Sequence, residues 1–261
     1  MSSDGRPVAA HAHVCFAYDD PAVFAAAAAD FLAEGQANGE RLWFVAAHRP
    51  PTVPPSARFV AVGDAYPSGT VVDPQAQAAE YAAALDAALA AGYTGLRVAA
   101  EATSLVRTAA QLAAFTRYEH LADRLICTTA FAAMCAYDRR VLDDEAIEEL
   151  AAMHARTNAE VPFQLVACPP ADGQAALAGE LDLSADTLLD KALDRAHLRP
   201  LDGELVLNAS GLRFVDHRAL VQLDRYADQR GATVVLRSAA GAVGRLAGLL
   251  DLPRLRVEVA R

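Results

Sequence analysis

The chain has 261 residues, of which 54% are hydrophobic and 21% are charged. This length allows one large domain or two of ordinary size, with enough chain to bury a core without disulfides. The formal net charge of −10 argues against nucleic acid and anionic membranes as partners, because both require a basic surface.

The sequence also indicates a cellular compartment. It contains no apolar run near the roughly 20 residues of a membrane span, and its first residues, MSSDGRPVAAHAH, lack the pattern of a signal peptide. We therefore expect a cytoplasmic protein whose four cysteines are reduced thiols. No Cys-x-x-Cys pair is present, which argues against a zinc knuckle or a thioredoxin-type centre.

Strand and helix patterns alternate over the first part of the chain. Apolar runs predict strands at 13–18, 42–47, 58–62, 96–100 and 131–137. Helical patterns cover 75–91, 109–125 and 143–154, and another helix begins at Pro21 with Asp20 as its N-cap. The segment RPPTVPPS should be a stiff surface connection. The alternation predicts an α/β fold with a mostly parallel sheet covered on both faces.

Polar residues follow three of these strands, where ligands bind in open parallel sheets. They are Tyr18, Asp19, Glu101, Tyr137 and Asp138. Each also has a purely structural interpretation; Glu101, for example, could pair with Arg97 or Arg107. His13 and Cys15 are two residues apart and so share one face of the first strand. A cysteine in an apolar strand is, however, usually a small core residue.

The joint between the first strand and its helix reads AYDDPAVF. A phosphate-binding loop at this position would carry glycines and a Gly-Lys-Ser/Thr sequence. This joint has neither glycine nor lysine, and its two aspartates would repel phosphate. Conventional nucleotide hydrolysis is therefore not expected, and the sequence predicts no cofactor.

Residues from about 10 to 155 resemble the MEDS domain, a sensory domain of methanogen, methylotroph and dichloromethane-responsive regulators. The motifs HVC-x-x-Y, GLRV-x-x-E, YE and C-x-YD occur in the family's order. The resemblance implies a degenerate RecA/KaiC-like fold that senses small molecules, with hydrocarbon derivatives as possible ligands. By carry-over, the ligand-binding positions are His13, Cys15, Tyr18, Arg97, Glu101, Tyr118, Glu119, Cys135, Tyr137 and Asp138. Ser104 and Leu105 stand where the family commonly has an aromatic residue, which bears on ligand specificity.

From residue 161 onward the pattern is that of a small second α/β unit. Strands are predicted at 161–168, 175–183, 204–208, 232–237 and 255–259, with helices at 186–198, 216–229 and 242–250. The segments GELDLS, LVLNASGLRFVD and GATVVLRSAAGAVGRLAGLLDL resemble the STAS domain of anti-sigma factor antagonists. We thus expect a MEDS-like sensory domain at 8–157 and a STAS domain at 161–261.

The STAS resemblance implies a protein-binding switch, with an anti-sigma factor or a kinase as partner. The family's phosphorylated hydroxyl residue corresponds to Arg218, so the usual phosphorylation switch cannot operate at that position. Asn208 stands where the family often has Asp, and phosphorylation of His217 is a further alternative. The predicted partner-binding residues are Asp216, His217, Arg218, Leu220 and Val221.

Three hypotheses about function remain open. The first is a cytoplasmic regulator, not an enzyme, whose ligand shifts the exposure of the STAS surface; a homodimer is also possible. The second is an enzyme of the RecA-like class, or a thiol enzyme that uses His13 and Cys15. The third is a metal-binding sensor using His11, His13, Cys15 and Cys135, whose ligand types suit zinc or copper although the spacing is unfamiliar.

Overall fold

The computed structural model describes residues 13–67, 69–238 and 241–259, and it divides into two compact units. The first sheet contains β1 (His13–Tyr18), β2 (Arg41–Ala46), β3 (Arg58–Ala61), β4 (Leu96–Glu101), β5 (Phe131–Asp138) and β6 (Arg156–Thr157). Its strands are all parallel, in the order β3-β2-β4-β5-β1-β6. The predicted mostly parallel α/β sheet is therefore confirmed.

Five helices lie between these strands in the chain. They are α1 (Pro21–Ala37), α2 (Val62–Ala65), α3 (Pro74–Ala90), α4 (Ala109–Thr128) and α5 (Asp144–Ala151). Asp20 caps α1 as predicted: its side chain accepts a hydrogen bond from the Ala22 amide at 2.8 Å. Thr108 and Gln111 form a reciprocal capping box at the start of α4. The proline-rich segment forms turns between β2 and β3, as expected for residues that cannot donate backbone hydrogen bonds.

The first sheet has two different faces, because successive strand residues point to opposite sides. Tyr18 of β1 lies on the face that packs against Phe24 and Phe31 of α1. His13 and Cys15 of β1 lie on the other face. The register pairs Cys15 with Cys135, so both cysteines belong to that second face.

Two features of this region were not predicted. α5 ends at Ala151 rather than 154, and His154 lies in the turn that follows it, where the His154 amide donates to the Ala151 carbonyl at 3.2 Å. That turn leads directly into β6, whose Arg156 pairs with Val14. The two-residue β6 is too short to produce a recognisable alternation in the sequence.

The second sheet contains β7 (Phe163–Val166), β8 (Ala175–Leu181), β9 (Glu204–Val215), β10 (Thr233–Ser238) and β11 (Leu255–Val259). Its order is β11-β10-β9-β8-β7; β7 is antiparallel to β8, and the other pairs are parallel. The helices are α6 (Asp186–Ala196), α7 (His217–Asp228) and α8 (Gly241–Ala247). Leucines of α6, α7, β9 and β10 fill the core of this unit.

The second unit differs from prediction chiefly in β9, which extends to Val215 rather than ending at residue 208. The added residues pair with β8 through two register shifts, so they lack a clean alternation of apolar and polar side chains. Gly179 of β8 has φ +107°, and a Cβ there would lie 2.4 Å from the Pro162 carbonyl oxygen. Only glycine is accommodated at this point of the sheet.

None of the helices in the described part of the chain is long and apolar enough to cross a membrane.

Candidate functional site

A cluster of polar side chains lies at the carboxyl ends of β1, β4 and β5. The Tyr18 hydroxyl donates a hydrogen bond to Glu101 Oε1 at 3.2 Å. Thr103, in the single helical turn after β4, donates to the same oxygen from both its amide and its hydroxyl. The Thr103 hydroxyl in turn accepts from the Asp138 amide at 2.9 Å. These four residues form the carboxyl-edge cluster, which joins the ends of three strands.

Asp138 is held by an arginine that the sequence-based prediction did not include. The guanidinium of Arg140 contacts both carboxylate oxygens, with Nη2 2.6 Å from Oδ2 and Nε 2.9 Å from Oδ1. These hydrogen bonds lower the pKa of Asp138. The Asp138 side chain is almost buried, whereas that of Arg140 is 54% exposed. The pair therefore presents its positive side to solvent at this edge.

Tyr18 is suited to remain a neutral hydrogen-bond donor. Burial is the main cause that raises its pKa, and the nearby carboxylates of Glu101 and Asp138 raise it further. Its ring stacks on Phe24 with centroids 5.3 Å apart, which fixes the direction of the hydroxyl. The cluster can thus offer the partly exposed Glu101 carboxylate as an acceptor to a polar ligand, and the Tyr18 hydroxyl can donate to that ligand if its single hydrogen bond turns away from Glu101.

Arg97, another predicted ligand-binding residue, is not part of this cluster. It lies near the opposite end of β4, and its guanidinium contacts Glu40 and Glu34 at 2.5 Å and 3.0 Å. It also lies over the ring of Phe31, 4.6 Å from the centroid. Arg97 is only 4% exposed, so the structure gives it a role in joining β4 to α1.

A second group of predicted residues lies on the other face of the first sheet. His13, Cys15, Cys135 and Tyr137 share this face by strand alternation and register. All four are buried, and both His13 and Cys15 have 0% exposure. A catalytic thiolate needs an accessible environment that lowers its pKa. The complete burial of Cys15 argues against the thiol-enzyme hypothesis.

Two buried side chains, one of α4 and one of the turn after α5, lie close to each other. They are Glu119 and His154, with His154 Nε2 3.7 Å from Glu119 Oε2, and both side chains have 0% exposure. The Leu150 carbonyl oxygen lies 2.7 Å from His154 Nδ1, which orients the imidazole ring.

The metal site considered from the sequence comprised His11, His13, Cys15 and Cys135. His11 lies outside the described residues, and the other three are buried on one face of the first sheet. Glu119 was predicted as a ligand-binding residue, but His154 was not, because its position after α5 becomes apparent only in three dimensions.

The first part of the chain matches a known protein family. The model of a family described as the MEthanogen/methylotroph, DcmR Sensory domain matches residues 12–155. This match covers more than half of the chain. The chain belongs to the MEDS family. No curated protein matches the chain.

The MEDS match contains the carboxyl-edge cluster, and it supports a sensory or signalling role. It ends before the second sheet begins, so it gives no information on the STAS resemblance. Within the MEDS region, Tyr118 and Tyr137 are buried, with 5% and 0% exposure. Of the predicted MEDS residues, Tyr18, Glu101 and Asp138 lie in the carboxyl-edge cluster.

A cavity of about 420 Å³ opens beside the helical turn that follows β4 in the MEDS domain. Apolar and polar side chains line it, among them Val62, Tyr66, Thr70, Leu105, Arg107 and Gln111. This volume is within the range of small-molecule sites, about 300–1,000 Å³. Because Ser104 and Leu105 follow Thr103 directly, the cavity lies next in the chain to the carboxyl-edge cluster.

In the second unit, the predicted partner-binding residues lie at the start of α7. Asp216 is the N-cap, and its side chain accepts from the Ala219 amide at 2.9 Å. Arg218 is exposed and lies 3.7 Å from Asp186 of α6. Leu220, by contrast, is fully buried in the core, because it lies on the inner side of the helix. The accessible part of this predicted surface therefore consists of Asp216, His217, Arg218 and Val221.

Proposed function

We propose that the MEDS domain binds a small, polar-substituted organic molecule at the carboxyl edge of its sheet and passes this signal to a protein partner. The family match supports sensing in general. The carboxyl-edge cluster is the observation that carries the proposed location, since parallel α/β sheets bind ligands at this edge. Tyr18 and Glu101 offer a donor and an acceptor, which suits an alcohol, an amine or another oxygenated hydrocarbon derivative.

The chemistry of the edge favours such a ligand over a nucleotide. Asp19 and Asp20 occupy the start of α1, where a nucleotide-binding protein places its phosphate loop. Their negative charges oppose phosphate, and Asp20 already accepts the Ala22 amide hydrogen bond. We therefore propose a binding protein rather than a nucleotide-hydrolysing enzyme. The nearby cavity could hold the apolar part of the ligand.

The proposed output is the second unit, acting as a STAS-like protein-binding module. Its support is the sequence resemblance together with an exposed polar surface at the start of α7. An anti-sigma factor or a kinase is the proposed partner class. With Arg218 in place of the hydroxyl residue, the surface carries a permanent positive charge, so regulation would depend on the ligand and not on phosphorylation at that position.

Ligand binding is tested with the full chain and a panel of short alcohols, amines and halogenated hydrocarbons. Thermal unfolding and the fluorescence of Trp43, the single tryptophan, report binding. A ligand should stabilise the wild type but have at least about tenfold weaker affinity for Tyr18→Phe and Glu101→Gln, since each change removes a polar contact of about 1.5 kcal/mol or more. Glu80→Gln, on the exposed side of α3, is the matched control.

Two results would contradict this location. One is a ligand that binds both edge variants as tightly as the wild type. The other is a panel in which no compound stabilises the wild type, although the protein is folded by circular dichroism.

The output is tested by affinity capture with the full chain and with Arg218→Glu. A glutamate in the first turn of a helix is favourable for the helix, so this variant should remain folded. The wild type should retain a specific partner that the variant loses, and Arg230→Glu, two residues beyond the C-terminal end of α7, should retain it. Equal capture by the wild type and Arg218→Glu would contradict the proposed surface.

A further inference from the structure

β11 (Leu255–Val259) forms one outer edge of the second sheet. In the described part of the chain no strand pairs with its outer side. An unpaired sheet edge is a template for pairing with another chain. We propose that two copies of this protein associate through this edge, with β11 of each copy pairing antiparallel about a two-fold axis at Val257. This interface rests on residues that the proposed function does not use.

The opposite edge of the same sheet, β7, is covered by residues of its own unit. The Leu165 amide of β7 donates a hydrogen bond to the Ala152 carbonyl at 2.7 Å. The Gln164 side chain donates to the His154 carbonyl at 2.7 Å. β7 is therefore closed to a further strand at this point, and β11 is the edge of the second sheet on which another strand can add.

The hydrogen bonds between β10 and β11 determine which backbone groups of β11 face outward. The Val234 amide of β10 donates to the Arg254 carbonyl, just before β11, at 2.8 Å. In a parallel pair, the backbone groups of every second residue face the neighbouring strand, so those of Arg256 and Glu258 face β10. The amide and carbonyl of Val257 then face the free edge, where they can pair with the same groups of a second copy.

The side chains of β11 complement themselves in this arrangement. An axis at Val257 places Leu255 opposite Val259 of the second copy, and Arg256 opposite Glu258 of the second copy. Apolar side chains thus face apolar ones, and each arginine faces a carboxylate. Cross-strand pairs of opposite charge stabilise antiparallel strands, whereas like charges directly opposite each other destabilise them.

The charges also select this register over the neighbouring ones. If the axis moves by one residue toward the start of β11, Arg256 lies opposite Arg256 of the second copy. If it moves by one residue toward the end, Glu258 lies opposite Glu258. Both shifts therefore bring like charges together, and the axis at Val257 avoids this.

The side chains that would meet are accessible. Arg256 is 49% exposed and Glu258 is 41% exposed, and within one chain they lie 3.1 Å apart, with Glu204 2.9 Å from Arg256. A second copy would extend this group so that positive and negative side chains alternate across the axis. Among the described residues, the large apolar side chains with the highest exposure are Leu249, between α8 and β11, at 83%, and Val259 at 79%. Pairing at this edge would cover Val259.

The test measures self-association of the full chain by analytical ultracentrifugation over about 1–200 µM, a range suited to a small interface. The wild type should form a dimer in this range. Arg256→Glu and Glu258→Arg each place like charges opposite each other on both sides of the axis, so each should weaken dimerisation at least about tenfold. Arg213→Glu is the matched control, since Arg213 also pairs with a glutamate, Glu180, but on β9 and β8 away from this edge; it should dimerise as the wild type.

A mixture of the two variants tests the register directly. In a mixed dimer, the two glutamates of one chain face the two arginines of the other. An equimolar mixture of Arg256→Glu and Glu258→Arg should therefore recover dimers that neither variant forms alone at the same concentration. A purely structural role of Arg256 or Glu258 within one chain would not produce this recovery. Circular dichroism checks that each variant is folded.

The wild-type measurement needs no variant, so the proposal can fail even if a variant does not fold. It is overturned if the wild type is monomeric over the whole range. It is also overturned if folded Arg256→Glu dimerises as tightly as the wild type, if Arg213→Glu weakens the dimer equally, or if the mixture of variants recovers no dimer.

Discussion

The two faces of the first sheet use polar residues in different ways. At the carboxyl edge, Tyr18 and Glu101 belong to a hydrogen-bonded network that reaches solvent through Arg140. On the other face, His13 and Cys15 are withdrawn completely from solvent. A sheet edge can exchange ligands with solvent, whereas fully buried side chains cannot do so without local opening. The first arrangement therefore suits reversible ligand binding, and the second suits packing of the core.

Arg97 forms a buried ion pair that connects β4 to α1. Arg97→Met should lower the free energy of unfolding by about 2–3 kcal/mol. This is below the usual cost of breaking a buried pair because Glu34 is 66% exposed and remains hydrated. Arg58→Met is the control, because Arg58 also lies over an aromatic ring, that of Trp43, but is exposed. Its substitution should lower the free energy of unfolding by only about 0.5–1 kcal/mol. Equal losses in urea unfolding would contradict the assignment of Arg97 as a buried structural charge.

Tyr18→Phe removes the hydrogen bond from the Tyr18 hydroxyl to Glu101 but keeps the ring that stacks on Phe24. Loss of the hydroxyl should cost about 1 kcal/mol at neutral pH. The pKa of Tyr18 is raised in the folded protein, so its stabilising contribution is complete below the unfolded value of about 10 and is lost as the pH rises through the folded value. The stability of the wild type should therefore fall more steeply above pH about 10 than that of Tyr18→Phe. Tyr93→Phe, at a largely exposed ring, should keep the wild-type slope.

Much of the fold could be predicted from the sequence where local signals are strong. β1 and the start of α1 are correct because an apolar run is followed by Asp20 and Pro21, which together define a helix N-terminus. The extent of β9 was wrong, since Ser210 and Gly211 resemble a turn and this part of the strand is held by irregular pairing with β8. Tertiary pairing here overrides local preference.

The sites were predictable only in part, for a similar reason. Strand alternation correctly places His13 and Cys15 on one face. It cannot reveal the register that sets Cys15 beside Cys135. Nor could it identify His154 as the neighbour of Glu119, since that residue lies in the turn after the true end of α5. Arg140 was missed because its role depends on a side-chain contact two residues back in the chain.

The smallest expected effect belongs to Arg140 at the exposed rim of the edge. Its side chain is 54% exposed, so Arg140→Gln should cost less than about 1 kcal/mol at neutral pH. Arg140 lowers the pKa of Asp138, and a lowered pKa contributes stability above the unfolded value of about 3.9 that is lost as the pH falls through the folded value. The acid-unfolding midpoint of Arg140→Gln should therefore move to higher pH. Arg139→Gln, whose partner Asp144 is 93% exposed at 3.7 Å, should leave the midpoint unchanged. Equal midpoints in wild type and Arg140→Gln would mean that the Asp138 pair is fully screened and that the edge resembles ordinary solvated surface.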